Sequence, residues 1–259
     1  MRRTADAMTA DRHTASASTS AEAPIRDAAS ILLVDREAGS PRLLMGLRRA
    51  DNVFLPNKWV FPGGRVEAED GAIATASSLH PDDEGALLAA LPAPAGRTFA
   101  RALALAGVRE LFEETGHAMA VSTASVRSKV PASAGCDATA WPAFHTLGLM
   151  PALAPLRLVA RAITPPGRPR RYDTRFFVAE RSSVIEGAGP GDGEFTDQGW
   201  FSLEDARALD LPNITRRVLA DLEAIMAQPG QLSLGPVPYY YQDGGSFRRD
   251  LIGRGPEPL

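Results

Sequence analysis

Cysteine and histidine are scarce in this sequence: its 259 residues include one cysteine, Cys136, and four histidines, His13, His80, His117 and His145. An internal disulfide is therefore excluded, and a Cys/His zinc cluster cannot be assembled. Cys136 lies in an Ala/Ser/Gly setting with no partner base, which disfavours covalent catalysis. Any metal must be held mainly by oxygen. A strong charge of one sign is also missing. The 28 Lys and Arg stand against 31 Asp and Glu, a formal net charge of −3, which offers no global basic field for nucleic acid or an anionic membrane. An anionic ligand must be gripped by local groups. Long apolar runs are absent too, since charge interrupts each one well before the ~18 residues of a membrane span. The expected location is cytoplasmic. With 44% hydrophobic residues, the chain can bury one sizeable core.

Residues 1–25, rich in Ala, Thr, Ser and Asp, read as a disordered tail with neither a secretory apolar segment nor the acid-poor pattern of a transit peptide. Order is expected from Ala28. SILLVDR and RLLMGLRR are spaced as a hairpin, and KWVFPGG follows. From 71 to 97 the chain turns to Ala, Ser, Pro and Asp, with a short helix around Asp82 to Leu91, and reads as an insertion. A helix follows, capped by Thr98 and stopped by Gly116, its apolar positions Leu103, Leu105, Val108, Leu111 and Phe112 near the helical period. LRLVARAIT, TRFFVAE and QGWFS read as strands. Ser202 opens a capping pattern, and Asn213 to Met226 forms an amphipathic helix. Residues 229–259 are a Pro/Gly/Tyr-rich extension. The sum is one α+β domain over 26–228 with tails and one insertion.

The chemistry concentrates in Arg109, Glu110, Leu111, Phe112, Glu113, Glu114, Thr115, Gly116. Spacings of three and four bring Glu110, Glu113 and Glu114 onto one side of a helix, at a repulsive penalty of only roughly 0.2–0.5 kcal/mol per solvated pair. A phosphate ~4 Å from each carboxylate would be repelled by about 4 kcal/mol at an effective dielectric of ~20. A polyphosphate could dock there only with divalent cations, and three carboxylates suit oxygen-seeking Mg²⁺ or Mn²⁺. An acidic helix face alone is more often a solvated surface. Upstream, however, Phe61, Pro62, Gly63 and Gly64 end a strand, and paired glycines permit a sharp turn and close backbone approach.

PGG followed by RELFEETG resembles the signature of the Nudix hydrolases, G-x5-E-x7-R-E-U-x-E-E-x-G-U, with U aliphatic. Gly64 matches the opening glycine, and Arg109, Glu110, Leu111, Glu113, Glu114 and Gly116 match the second half. Asp70 stands where the signature has its first Glu. Between Asp70 and Arg109 lie 38 residues instead of 7, so the box is split. Counted back from Arg109 at the short spacing, the first acid would fall on Arg101, and His117 replaces the closing aliphatic residue. The split, together with ITPPGRPRRYDTRFF, resembles the peroxisomal-type Nudix branch that cleaves coenzyme A and its thioesters. Of the motif reported for members that cleave coenzyme A, Leu43, Leu44 and Phe61 to Gly64 match, while Val53 and Asn57 replace its Arg and Gly.

The resemblance implies a Nudix fold, a mixed β-sheet sandwiched between helices, and metal-dependent hydrolysis of a nucleoside diphosphate linked to another moiety. Coenzyme A or acyl-CoA is the leading substrate, ADP-ribose or dinucleotides the alternative, and a non-catalytic nucleotide-sensing module the third reading. Glu110, Glu113 and Glu114 are the implied metal ligands, with Mg²⁺ or Mn²⁺ as cofactor. Catalysis is expected to rest on Glu113, Glu114, Arg109 as orienting partner, and Glu194 as base or extra ligand. Gly63, Gly64 and Arg171 are expected at the substrate, with Arg168 and Arg170 weaker phosphate candidates. Tyr239, Tyr240 and Tyr241 are expected to pack the C-terminal segment, and Trp59, Trp141 and Trp200 to pack the core. The expected partner is a small molecule; neither nucleic acid nor membrane is expected, and a homodimer is a candidate assembly.

Overall fold

The structure, a computed structural model, describes residues 22–37, 39–89, 96–124, 141–189, 191, 193–226 and 235–253. Cys136 and most of the N-terminal tail lie outside them. In chain order the strands are β1 (Ile25–Asp35), β2 (Arg42–Arg48), β3 (Trp59–Val60), β4 (Gly63–Arg65), β5 (Ala120–Ser122), β6 (Leu149–Pro151), β7 (Arg157–Ile163), β8 (Arg171–Glu180), β9 (Phe195–Ser202), β10 (Val237–Asp243) and β11 (Ser246–Ile252). The helices are α1 (Pro81–Ala89), α2 (Arg97–Thr115), α3 (Trp141–Thr146), α4 (Leu203–Ala208) and α5 (Asn213–Met226). Among the described residues no helix is long and apolar enough to cross a membrane.

A nine-stranded mixed sheet runs β11-β10-β7-β8-β1-β2-β3, with β4 also paired to β1 and β9 to β2. β1 is its hub, parallel to β8 from Ile25↔Arg171 to Val34↔Glu180 and antiparallel to β2 and β4. Its apolar run is buried on both faces, as a central strand requires. Alternate residues then serve two cores. Ala29, Ile31 and Leu33 pack with α2, while Leu32 and Val34 pack with α5 residues Val218, Leu219 and Leu222. The sheet is thus sandwiched between helices in one α+β domain.

α2 forms because Ala100, Ala102, Leu103, Ala104, Leu105 and Ala106 are strong helix formers. Gly107 interrupts them on the face toward β1, where an added Cβ would stand 3.1 Å from Ile31 Cγ1. The missing side chain lets the helix sit close to the sheet. Gly116 ends α2 at φ 73°, its N–H donating to Phe112 O at 2.8 Å. The start differs from the sequence expectation. Gly96 occupies the N-cap with no side-chain bond, and Thr98 lies inside the first turn.

The segment between the two halves of the box is more than a surface excursion. It contributes Ile73, Leu79, Ala86 and Leu87 to the core on the α2 side. Gly71 lies against Thr98 and Ala102, and Arg101 Nη2 donates to Gly71 O at 2.5 Å, so the segment follows the N-terminal half of α2. Its α1 is pinned by the fully buried Asp83, which accepts from Arg157 Nε at 2.6 Å and from Leu158 N–H at 3.2 Å. The C-terminal segment likewise joins the sheet, β10 pairing with β7 and β11 with β10.

Hydrogen bonds to charged partners contribute roughly 1.5–3 kcal/mol. Asp83→Ala should therefore lower unfolding stability by about 2–3 kcal/mol in urea titrations; an unchanged midpoint would show that α1 is held by apolar packing alone.

Candidate active site

The glycine pair and the acidic turn of α2 meet at the strand end that β4 forms beside β1. Ser30 Oγ and Ile31 N–H both donate to Pro62 O, at 2.8 and 2.9 Å, which fixes the FPGG turn on the hub strand. A Cβ on Gly63 would overlap Ala29 O, and one on Gly64 would overlap the Glu110 carboxylate. Only glycine lets the chain pass between sheet and helix here. With no side chain in the way, Gly63 N–H donates to Glu114 Oε2 at 2.8 Å.

Arg109 organises the acids around it. Its buried guanidinium donates through Nε to Asp70 Oδ1 at 3.0 Å, through Nη2 to Arg65 O at 2.8 Å, and through Nη1 to Glu110 Oε1 and Glu113 Oε2, both at 2.9 Å. Burial acts to lower the arginine's proton affinity, but Glu110, Asp70 and Glu113 overcome it and hold the group charged. Asp70, fully buried, also accepts from Trp141 Nε1 at 3.2 Å and from Glu67 N–H at 2.9 Å. Both its oxygens face protein donors, so the first acid of the split box braces Arg109.

Burial pushes Glu110 up to about 7; Arg109 opposes the shift, while Glu113 and Glu194 add to it. Burial also raises Glu114 well above the ordinary carboxylate range. Glu110 and Glu194 reinforce that shift, which Gly63 N–H and Arg48 oppose. Glu114 Oε1 is buried with no hydrogen-bond partner, its nearest cation being Arg48 Nη1 at 4.0 Å. An acceptor left in that state, amid raised acids, fits a hard divalent cation. Among the described residues no three acidic, histidine or cysteine side chains already converge on one point as a metal site. Arg109 instead draws Glu110 and Glu113 toward itself.

Glu194 joins the group from the loop before β9. Gly189 packs on Phe112, and Gly191 approaches Glu114 O, so this loop closes over the end of α2. Glu194 Oε1 then pairs with Arg48 Nη2 at 2.5 Å. Arg48 ends β2, and the β2–β9 register sets it opposite Phe195. Sequence reading missed Arg48 because a single arginine at a strand end carries no pattern; only the pairing of β2 with a strand about 150 residues away reveals it.

Other expected residues lie elsewhere. Arg171 is buried, donating to Thr164 O at 3.1 Å and pairing with Glu22 at 2.7 Å, rather than facing the glutamates. Arg168 and Arg170 are exposed, but Arg170 does line the cavity beside Arg48 and Glu194. Tyr239 stacks on Tyr241 and lies under Arg161, while Tyr240 is buried within the β10 face against α5. Trp141 is buried, and Trp59 and Trp200 are partly buried against the two cores.

No family model and no curated protein matches the sequence. Among solved structures, a Nudix hydrolase from Alicyclobacillus acidocaldarius is 26% identical with a TM-score of 0.58, covering 83% of this chain and 99% of its own. A MutT protein from Methanosarcina mazei is 15% identical over 80% of this chain and 98% of its own, with a TM-score of 0.42. The chain has the Nudix hydrolase fold, and its fold and box geometry support the Nudix superfamily.

Two outcomes follow from this geometry. Gly64→Ala should displace the Glu110 carboxylate, a movable side chain, and so weaken Mn²⁺ binding and turnover about tenfold or more while leaving the fold intact. Circular dichroism and metal titration check this; undiminished binding would place Glu110 outside the metal's reach. Second, a carboxyl whose folded pKa exceeds its unfolded value favours the fold at acid pH and loses that contribution as pH rises through the folded value. With Glu110 at about 7 and Glu114 also raised, the metal-free protein should lose thermal stability between about pH 5 and 7.5. The decline should be shallower in Glu110→Gln; an unchanged slope would locate the titration elsewhere.

Proposed function

We propose that this chain hydrolyses a pyrophosphate bond in a nucleoside diphosphate linked to another moiety, acting as a Nudix-type pyrophosphohydrolase. The observation that carries this reading is the junction of the FPGG turn with Glu110 and Glu114: one backbone N–H and one missing side chain set two desolvated carboxylates against a strand end. We assign Glu110, Glu113 and Glu114 to divalent cation binding. When bound, Mg²⁺ or Mn²⁺ neutralises nonbridging phosphoryl oxygens and the leaving phosphate.

The chain's own groups supply position and proton transfer. Arg109 fixes the rotamers of Glu110 and Glu113 through Nη1, and Asp70 with Trp141 fixes Arg109 in turn. Arg48, held by its Nε bond to Phe54 O at 3.1 Å, keeps Glu194 beside Glu114. Glu194 is assigned as the acceptor of the attacking water's proton or as a further ligand. The carbonyl of Arg65 and the N–H of Gly63 hold the floor of the site rigid.

For the substrate we favour coenzyme A or an acyl-CoA. Support comes from the split of the box after FPGG and from the run TPPGRPRRYDTRFF, whose Arg170 lines the cavity beside Glu194. A panel of coenzyme A, ADP-ribose and NADH assayed with Mg²⁺ and with Mn²⁺ separates the substrate classes. Coenzyme A should be cleaved to a phosphopantetheine and adenosine 3′,5′-bisphosphate; preferred cleavage of ADP-ribose would refute that choice. Glu113→Gln should reduce turnover by at least about tenfold without unfolding the domain. Full activity in that variant would defeat the ligand assignment.

A further inference from the structure

We propose that the cavity next to the glutamates holds a second phosphate subsite. In it Arg49, Asn52 and Arg170 bind a phosphate monoester on the substrate's nucleoside, apart from the pyrophosphate being cleaved. The proposal rests on the pyrophosphohydrolase reading and narrows its substrate class.

The cavity, about 530 Å³, is lined chiefly by Arg48, Arg49, Asn52, Phe54, Arg170 and Glu194. That volume suits a nucleotide-sized ligand. Three guanidinium groups face one carboxylate, and Arg48 is matched to Glu194 at 2.5 Å. Arg170 remains for an anion, and Arg49, held by the solvent-exposed Asp51 at 2.9 and 3.1 Å, can add to it by exchanging that partner.

Those two differ from Arg48 in setting. Arg48 is 15% exposed and lies at the glutamate end, within 4.0 Å of Glu114. Arg49 is 50% exposed, and its pairing with Asp51 is open to water, so it contributes little and leaves the arginine fork free to re-aim. Arg170, on the turn leading into β8, is exposed and makes no ion pair with another described residue. Both thus stand at the mouth, while a pyrophosphate must lie deep against the acids. Arginine forks match the oxygens of a phosphate monoester.

Asn52 adds an independent sign. Its Nδ2 is buried without any hydrogen-bond acceptor, an unfavourable state for an amide donor unless a ligand oxygen completes it. The loop around it is held in a defined shape. Phe54 sits edge-on to Tyr172 with ring centroids 5.0 Å apart, and its carbonyl accepts from Arg48. Leu55 and Asn57 both adopt φ near 55°, a left-handed conformation uncommon outside glycine. Phe54 also offers an aromatic surface beside the cationic mouth, where a nucleobase can rest. The site is therefore two-ended: acids for the metal-bound pyrophosphate, and arginines with an amide for a second phosphate on the ribose.

Adenosine 3′,5′-bisphosphate and 5′-AMP, which differ by that one phosphate, test this by titration calorimetry in Mg²⁺ without any turnover. The full chain should bind the bisphosphate about tenfold more tightly, equivalent to about 1.4 kcal/mol. In Arg170→Gln or Arg49→Gln the difference should fall to within about twofold; both side chains are exposed, so folding is not at stake. The same variants should lower kcat/KM for coenzyme A about tenfold and leave dephospho-coenzyme A nearly unchanged. Equal affinity for the two nucleotides in the unmodified protein, or a preference that survives both substitutions, overturns the subsite. If the preference and its loss are observed while no pyrophosphate is cleaved, the subsite stands and the hydrolase reading falls.

Discussion

The site depends on one buried guanidinium. Arg109 connects the α2 turn that carries Glu110 and Glu113 to the β4 carbonyl of Arg65, and through Asp70 to the segment that splits the box. A charge at that depth is tolerable only when its donors are met by acceptors. Here three carboxylates and a carbonyl meet them. The glutamates are thereby both neutralised in part and held in place, which would otherwise require the cation itself. Asp70 is committed to Arg109, Trp141 and the Glu67 N–H, and so has no lone pair to spare for a metal. This explains how a box with 38 residues between Asp70 and Arg109, where the signature has 7, retains its geometry. The first acid must return to Arg109 in space, and α1 with its Asp83–Arg157 pin keeps the intervening chain folded back on α2 and β7.

Close approach is the second constraint, and it follows from the first. Glu114 can accept from Gly63 N–H only because the turn lies directly on the helix, and the helix lies directly on β1 because Gly107 has no side chain at Ile31. Packing at Gly107 and electrostatics at Gly63 are thus consecutive parts of the same contact surface. The result is a desolvated acid pair whose charged state is unfavourable in the protein alone. A bound cation of the kind proposed above would restore what burial removes from these charges.

Much of this was legible in the sequence, for physical reasons that can be named. The α2 helix declared itself by the period of Leu103, Leu105, Val108, Leu111 and Phe112 and by Gly116, whose left-handed φ no other residue adopts as easily. β1, β2, β7 and β8 were visible as apolar runs between turn residues, and α5 as an amphipathic period that coincides with Asn213–Met226. The adjacency of FPGG and RELFEETG was expected from resemblance, not from spacing. What stayed hidden depends on long-range register. Arg48 meets Glu194 only because β2 pairs with β9, and Trp141 meets Asp70 across 71 positions. The core residues after Asp70 were obscured because Ala and Leu dispersed among Pro, Ser and Asp show no period of their own. Thr98 invited reading as a cap by residue type, whereas Gly96, one residue before the helix, holds that position.

The arrangement also separates tasks between the buried acid cluster and the cavity beside it. The fixed groups Arg109 and Asp70 are buried beneath the glutamate turn, where small displacements matter most for chemistry. Groups with solvent access, Arg49 and Arg170, lie at the mouth, where water weakens each contact and selectivity comes from the number and spacing of partners. Arg48 stands between the two, bonded to Glu194 on one side and to the Phe54 carbonyl on the other. A shift in the 49–57 loop would therefore be felt at Glu194, and through it at Glu114, before any ligand reached the acids. With the proposed subsite at the mouth, its occupancy and the alignment of the carboxylates would be coupled through this one arginine.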